Sequence, residues 1–466
     1  MIESARPISG SRDMAADGRP DASTRSPLQT LARQAAGLSW SSVPAEVQDR
    51  TLLVLFDTLG VMLAGAATPE VQALAAQFRE AGSSPLVGFG RTTSADAACW
   101  VNGTAVCSLE LDEGSKYARG HPAAHVLPAA LAVGAGHRGS DWLAAFLAGY
   151  ETAARFGRAT RLRSGVHPHG TWGATGAAAA AGRLAGLDGD GMAAAIDAAA
   201  GLTLAPHFES ALSGNPVRNL WVGAANTAGL AAARLAAARL AAGGMAVPGD
   251  TASFTLGQIL GDFDPTPLGQ PFDERFDILG GYFKRHAACA YTHAPADAIL
   301  ELRENGPFDP DEVETVTVET FAIAAGLNRT EWPTRLAAMF SIPYVTAVML
   351  LDGSFGPEAS SDARRADLVL GDLARRVEVK ATDEFETRLP ERRGARVTVQ
   401  MYDGSRRSAE VEQPVGDSAH QPLGWDEIST KLSELVGTDR AIHLETAVRA
   451  LPSQSTDNLL EELMRS

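Results

Sequence analysis

The sequence predicts a mainly α protein with an inserted α+β domain. Its 466 residues exceed the roughly 250–300 at which one hydrophobic core usually stops growing, so we expect two domains. Up to about residue 270 the apolar residues recur at helical spacing, the next stretch alternates as strands do, and helical spacing returns after Pro414. The predicted organisation is a disordered tail at 1–27, a large all-helical domain made of 28–270 and 415–466, and a smaller α+β lid domain at 271–414.

The first helical region carries clear start and packing signals. The segment SSVPAEVQDRTLLVLFDTLGVMLAG (41–65) opens with Ser and Pro, as helices often do, and then continues at helical spacing. Alanine-rich blocks follow as far as GLAAARLAAARLAAGG (229–244), in which Arg234 and Arg239 argue against a membrane span. Because alanine favours helix and lets neighbouring helices approach closely, this region predicts tightly packed helices.

Three segments of the predicted lid domain alternate as strands do. They are VETVTVET (313–320), RRVEVKAT (375–382) and GARVTVQMYDGSRRSAEV (394–411), and the Asp-Gly pair inside the last one marks a hairpin turn. Between the first two, SIPYVTAVMLLDGSFG (341–356) has helical spacing with a Pro near its start. A cleft between two domains is a common ligand site, so we expect the functional site between the helical domain and the lid.

The charge balance limits the class of partner. Forty Lys and Arg against 56 Asp and Glu leave a formal net charge of −16, which argues against nucleic acid or an anionic membrane as the main partner. A small anionic substrate remains compatible, because a local cationic pocket can lie inside an acidic protein. The three cysteines and the absence of a CxxC motif indicate a reducing cytoplasm.

The N-terminal stretch has no feature of a signal peptide. Its first 27 residues mix charges of both signs and contain no apolar run, so we expect a disordered tail, with Met14 as an alternative start.

Histidines concentrate in one part of the chain, close to cations and an acid. Eight of the ten lie between residues 121 and 293, in polar stretches that precede apolar or small-residue helices. The candidate site residues in these stretches are Asp112, His121, His125, His167, His169, Arg218, Lys284 and His293. Histidine titrates near neutral pH and suits proton transfer, whereas Arg and Lys can hold carboxylates. The set therefore predicts removal of a proton next to a carboxylate by one histidine, with a second histidine or Asp112 as the acid.

Other interpretations of these residues remain open. His121 and His125, at i and i+4, could bind a metal with His167 in a hydrolase, although the Glu of an HExxH motif is missing. His125 and His169 could point outward, and Arg218 and Lys284 could be solvated charges. A third interpretation is a catalytically inactive helical binding or assembly protein.

The chain resembles the MmgE/PrpD superfamily, which includes 2-methylcitrate dehydratase, cis-aconitate decarboxylase and iminodisuccinate epimerase. The segments that carry the resemblance, in order along the chain, are FDTLGVMLAG (56–65), VNGTAVCSLELDEG (101–114), HPAAHVLPAALA (121–132), AGYETAARFG (148–157), GVHPHGTWGATGAAAAAGRLAGL (165–187), RNLWVGAANTAGLAAARLA (218–236), FKRHAACAYTH (283–293) and FSIPYVTAVMLLDG (340–353). The resemblance implies a helical domain with an α+β lid, a homodimer, an active site in the cleft, and neither a metal nor an organic cofactor.

The resemblance also implies roles for individual residues. The acid/base His of the family's HP motif corresponds to His121, and the His that follows the family's Gly-aromatic or Gly-aliphatic pair corresponds to His167. The Asp of the LD motif corresponds to Asp112, and the lid Lys before a Cys corresponds to Lys284. The substrate-binding candidates are Arg218, His293, Tyr344 and His169.

At two positions the sequence differs from the motifs of the dehydratase and decarboxylase members. Those members commonly read LDFDD where this chain reads LDEG at 111–114, and they often carry Lys where this chain has Arg218. The two motifs LDEG and HPHGTWG are closer to those of the iminodisuccinate epimerase branch. The expected reaction is therefore dehydration, epimerisation or decarboxylation of a small polycarboxylate.

Overall fold

The structure is a computed structural model that describes residues 25–244, 249–304 and 306–465. Most of the tail predicted at 1–27, with the alternative start at Met14, lies outside the described residues. Ser26 caps the first helix, since its side chain accepts a hydrogen bond from the backbone of Gln29. The helices up to residue 244 are α1 (Pro27–Gly37), α2 (Ala45–Ala66), α3 (Pro69–Ala75), α4 (Ala95–Cys107), α5 (Pro122–Ala132), α6 (Gly139–Ala159), α7 (Gly173–Leu184), α8 (Gly189–Ala200), α9 (Glu209–Leu212) and α10 (Val217–Ala241).

The later part of the chain contains shorter helices and the longer strands. Its helices are α11 (His293–Arg303), α12 (Ala322–Ala325), α13 (Arg335–Met339), α14 (Ile342–Asp352), α15 (Asp362–Arg365), α16 (Leu368–Arg375), α17 (Asp383–Glu386), α18 (Trp425–Val436), α19 (Thr438–Ala450) and α20 (Thr456–Met464). The strands of the whole described chain are β1 (Ser84–Leu86), β2 (Arg91–Thr93), β3 (Gly114–Ser115), β4 (Thr160–Leu162), β5 (Gly261–Phe263), β6 (Gly281–Tyr282), β7 (Val313–Thr320), β8 (Val377–Ala381), β9 (Ala395–Met401) and β10 (Arg406–Val411).

Small residues allow the first helices to pack closely, as the alanine-rich sequence predicts. At the crossing of α4 and α10, a methyl group on Gly103 would lie 2.6 Å from the Cα of Gly223. At the crossing of α6 and α7, a methyl group on Gly149 would lie 2.8 Å from the carbonyl oxygen of Gly176. These approaches are too short for any side chain, so glycine sets the helix spacing here.

The three predicted strand segments join in one four-stranded sheet of order β10-β9-β7-β8. β9 and β10 form the predicted antiparallel hairpin, which turns at Gly404 with a φ of 87°. β7 is antiparallel to β9 and parallel to β8, so the sheet is mixed. Alternate residues of β9 are buried, because α11 packs against that face. The fold is therefore mainly α with a small α/β part, and the domain boundaries stay a prediction.

The last helices pack onto the first ones. α18 lies across α2, where the side chain of Leu432 fills the space beside Gly60 and Trp425 stacks on Phe56. Lys431 pairs with the buried Asp57 at 2.6 Å and donates to the carbonyl oxygen of Leu111 at 2.9 Å. The C-terminal helices thus help to hold the backbone of the LDEG segment.

In the described part of the chain, no individual helix has the length and apolarity of a membrane span; α2 and α3 reach them only when taken together, across an 82° bend.

Candidate active site

The candidate active site is a cavity of about 540 Å³ at the entrances of α5, α7 and α10. Its other wall comes from residues between Tyr282 and Arg393. The charged and titratable side chains along its lining are Glu110, Arg119, His121, Arg163, His167, His169, Arg218, Tyr282, Cys289, Tyr291 and Arg393. Every polar stretch that carries candidate residues in the sequence therefore contributes to the lining.

His121 lies at the N-terminal end of α5, and its ring is held by contacts to one nitrogen, Nδ1. It is the residue before Pro122, which disfavours helical backbone at His121, so that α5 begins at Pro122. Its Nδ1 lies 2.8 Å from the carbonyl oxygen of Glu113 and 3.0 Å from Oδ2 of Asp112. Because both oxygens are acceptors, Nδ1 carries the proton, and Nε2 presents a lone pair whenever the ring is neutral.

Asp112 is fully buried behind His121 and stays ionised. Burial by itself raises the pKa of this carboxyl group, but His121, Lys284 and Arg218 together hold the pKa well below its ordinary value. The Nζ of Lys284 lies 3.7 Å from Oδ1. Asp112 thus orients His121 and would stabilise its protonated form, which is the arrangement expected of a base and its orienting acid.

In the neutral ring of His167 the proton lies on the other nitrogen than in His121. Its Nδ1 accepts a hydrogen bond of 3.1 Å from the backbone N–H of His169, so the neutral ring carries its proton on Nε2. The ring stacks on Phe208 at 5.2 Å between centroids and packs against Trp221. Burial, and after it the charge of Arg218, lowers the pKa of His167 well below its ordinary value. A neutral His167 therefore offers an N–H donor to the cavity.

His169 is buried and does not point outward, so the solvated interpretation is wrong for this residue. A glycine with a φ of 82°, Gly170, turns the chain inward directly after it. Its ring packs edge-to-face against His121, His125 and His167, with centroids 4.7–5.1 Å apart. Neither of its ring nitrogens has a hydrogen-bond partner among the described residues. A buried imidazole without partners costs free energy, which a ligand in the cavity would recover.

His125 is also buried, which contradicts its outward interpretation, but its role differs from that of His169. Its Nδ1 donates to the carbonyl oxygen of His121 at 2.8 Å, and its Nε2 accepts from the N–H of Gly170 at 3.4 Å. Burial lowers its pKa to about 4. His125 is a neutral core residue that joins the entrance of α5 to the loop before α7.

Arg218 and Lys284 are buried and paired, so the interpretation as solvated charges is wrong. Both contact Glu110, whose two carboxylate oxygens bridge the Arg218 guanidinium and the Lys284 ammonium, the latter at 3.1 Å. Burial alone lowers the pKa of each cation, but Glu110 and Asp112 raise both above their ordinary values. These two cations are therefore already paired with a carboxylate of the protein.

Glu110 was not among the residues predicted from the sequence. It lies two residues before Asp112, so its neighbourhood was available as a signal, but only the fold shows that it bridges two distant cations. Its φ of 53° is unusual for a residue with a side chain, and Arg119 shares this with a φ of 55°. Both residues line the cavity, where such strained backbone is most often found.

Glu113 is a second buried carboxyl group that the sequence reasoning missed. Its Oε1 accepts a hydrogen bond of 2.6 Å from Tyr150, and its Oε2 accepts one of 3.4 Å from the N–H of Ala123 in the first turn of α5. Burial raises its pKa from 4.5 to about 7. Glu113 supports His121 through its backbone oxygen and supports the start of α5 through its side chain.

His293 and Tyr344, two predicted substrate-binding residues, do not line this cavity. His293 donates from Nε2 to the carbonyl oxygen of Ala288 at 3.2 Å and faces a separate small cavity. Tyr344 is buried in α14, where its hydroxyl donates to the carbonyl oxygen of Ala359 at 2.7 Å. The structure thus gives both side chains partners within the protein.

Cys289 and three arginines also line the cavity. Burial raises the pKa of the Cys289 thiol to about 11, so it is a neutral, apolar part of the wall. Arg119, Arg163 and Arg393 line the other part of the cavity, and among the described residues none of them has a carboxylate oxygen within 4.0 Å. The cavity of this acidic protein is therefore cationic and suited to an anion.

The geometry does not support a metal centre made from these histidines. In the residues that the structure covers, no three His, Cys, Asp or Glu side chains are placed to share an ion. His125, one of the three ligands of the metal-hydrolase alternative, already uses both ring nitrogens for backbone groups.

Comparison with known proteins identifies the family. The MmgE/PrpD N-terminal domain model matches residues 29–249 and the MmgE/PrpD C-terminal domain model matches residues 286–449. The chain is 26% identical over 469 residues to a cis-aconitate decarboxylase of Aspergillus terreus, which covers 92% of this chain and 94% of the relative. It is 28% identical over 351 residues to the cis-aconitate decarboxylase of Homo sapiens, which covers 71% of each chain. These matches extend over both the helical and the mixed parts, and the chain belongs to the MmgE/PrpD family.

Proposed function

We propose that the protein is a lyase of the decarboxylase or dehydratase type that transfers a proton at the carbon next to a carboxylate of a small polycarboxylate, without a cofactor. The observation that carries the proposal is the complementary protonation of His121 and His167 on one cavity. Nε2 of His121 can accept a proton, and Nε2 of His167 can donate a hydrogen bond.

The steps of either reaction balance with these two groups. In dehydration, Nε2 of His121 removes the proton next to the carboxylate and the C–H electron pair forms the double bond. The hydroxide then leaves as water with the proton that His121 has taken up, while the Nε2–H of His167 donates a hydrogen bond to the substrate. In decarboxylation, the C–CO₂ bond breaks, its electron pair shifts to carbon, and a protonated histidine supplies the proton that replaces CO₂. Both reactions develop negative charge beside a carboxylate, which fixed N–H donors and cations stabilise.

The electrostatics of the cavity support an anionic substrate. Arg119, Arg163 and Arg393 bring positive charge to the lining, and the only carboxylate of the described lining residues, Glu110, is paired with Arg218. Because the relatives are cis-aconitate decarboxylases, decarboxylation of an unsaturated tricarboxylate is the first reaction to examine. The LDEG segment favours epimerisation as the second.

The test is proton NMR of the purified protein in D₂O with cis-aconitate, 2-methylcitrate and a panel of other di- and tricarboxylates. We expect one acid to lose CO₂ or water, with deuterium incorporated next to a carboxylate, and we expect H167A to abolish this while the protein stays folded. Turnover should survive exhaustive treatment with a chelator, whereas a metal hydrolase would lose activity.

Each other outcome contradicts a stated part of the proposal. Deuterium exchange without loss of water or CO₂ would replace the lyase by an epimerase. Turnover by H167A at the wild-type rate would remove His167 from the mechanism. If no acid in the panel reacted or exchanged, the substrate class would be wrong.

A further inference from the structure

The cavity contains a buried cation whose charge the protein leaves uncompensated. Arg393, in the loop between α17 and β9, is only 9% exposed and lines the same cavity as His121 and His167. Among the described residues no carboxylate oxygen lies within 4.0 Å of it. Arg218 and Lys284, by contrast, share the carboxylate of Glu110.

The surroundings hold the Arg393 guanidinium in place. Its Nη2 donates to the carbonyl oxygen of Lys116 at 2.7 Å, and its backbone N–H donates to the side chain of Gln413 at 2.7 Å. The rings of Tyr282 and Tyr291 lie 5.7 and 5.8 Å from its central carbon. A guanidinium held in this way is already oriented for a ligand, so binding would need little reordering.

The acidic group that is linked to Arg393 through Gln413 is already used by another cation. Asp417 forms a buried pair with Lys116 at 2.9 Å and accepts a hydrogen bond of 2.5 Å from Gln413. It therefore fixes the backbone segment beneath Arg393 and does not compensate its charge. Arg119 adds a second positive charge close by: partial burial lowers the pKa of Arg119, and among the nearby cations Arg393 lowers it most.

A buried charge without a partner is unfavourable, and an Arg fork matches the geometry of a carboxylate. We infer that Arg393 binds the third carboxylate of a tricarboxylate substrate, away from the carbon that reacts at His121 and His167, and thereby selects tricarboxylates over dicarboxylates. This inference rests on the proposed function, because it assumes that the cavity takes a polycarboxylate. Arg218 and Lys284, which pair with Glu110, then lie at the end of the substrate that reacts, and Arg393 holds the remote carboxylate.

The test compares two ligands that differ by one carboxylate, tricarballylate and methylsuccinate, by isothermal titration calorimetry. For R393Q we expect the Kd of tricarballylate to rise about 10- to 100-fold, the range for a hydrogen bond to a charged group. The Kd of methylsuccinate should change less than about threefold. The matched control is R392Q, since Arg392 is the exposed neighbour in the same loop and pairs with Glu412.

The pair of ligands separates selection from a structural effect. R393K keeps the charge but loses the fork, so it should weaken tricarballylate by a smaller factor, and it also serves if R393Q fails to fold. Equal weakening of both ligands, or no change in either, would overturn the inference while leaving the proposed function intact. If the wild-type protein bound neither ligand, the substrate class and the role of Arg393 would both be wrong.

Discussion

The entrance and the first turn of α5 present two histidines of one motif in different states. His121 and His125 are one helical turn apart and both are buried, yet only His121 lines the cavity. His125 has a backbone partner at each ring nitrogen, whereas the described residues provide partners for His121 only at Nδ1. Burial therefore does not separate a reactive histidine from a structural one. The difference lies in whether the protein leaves one ring nitrogen free for a substrate.

The largest effect that tests this comparison concerns His121. In H121Q we expect kcat to fall about 10³- to 10⁴-fold, because the group that exchanges the proton with carbon is gone. The melting temperature should stay close to that of the wild type, since His121 lies at the helix entrance. A fall of less than tenfold, measured with the substrate found by NMR, would move the proton transfer to another residue.

The orientation of His121 gives the next effect. In D112N we expect kcat to fall about 10²- to 10³-fold, because an amide can no longer stabilise the protonated ring or fix its tautomer. The control is D426N, since Asp426 is an exposed acid in the first turn of α18. Equal kcat values for D112N and the control would show that the 3.0 Å contact with His121 has no part in catalysis.

Glu113, whose backbone oxygen contacts His121, predicts a pH dependence of the free energy of unfolding. Burial raises the pKa of Glu113 from 4.5 to about 7, so the fold favours the protonated carboxyl group. Its stabilising contribution is fully present below pH 4.5 and is lost as the pH rises through 7, by up to about 3 kcal/mol. E113Q cannot ionise at this position. Its free energy of unfolding, measured by urea titration, should therefore increase relative to that of the wild type as the pH rises from 5 to 8. E70Q, at an exposed glutamate of α3, should follow the wild-type curve. A constant difference between E113Q and the wild type would contradict the raised pKa.

The smallest effect separates His125 from His121. H125A removes two hydrogen bonds to buried backbone groups, so we expect a loss of about 2 kcal/mol in the free energy of unfolding. The folded fraction should keep kcat within about tenfold of the wild type, the reverse of H121Q. A loss of kcat as large as that of H121Q, with unchanged stability, would remove the distinction between the two histidines.

Local sequence patterns were sufficient for the secondary structure of the small sheet. Alternation predicted β7 with its observed ends, and the Asp-Gly pair predicted the hairpin of β9 and β10. These features depend on neighbours in the chain, since strand faces have a period of two and a tight turn needs glycine. The pairing of β7 in parallel with β8 was not predicted, because it joins segments about 60 residues apart.

Motifs and hydrophobic spacing were enough to predict the family, the mainly α composition and the stretches that contain Asp112, His121 and His167. Three-dimensional contacts were needed to show which neighbouring side chains face the cavity. They showed that His125 and His169 are buried, that Glu110 bridges Arg218 and Lys284, and that Arg393 enters the site from a distant loop. The physical reason is that protonation and charge depend on the partners within a few ångströms, and those partners come from segments that are distant in the chain.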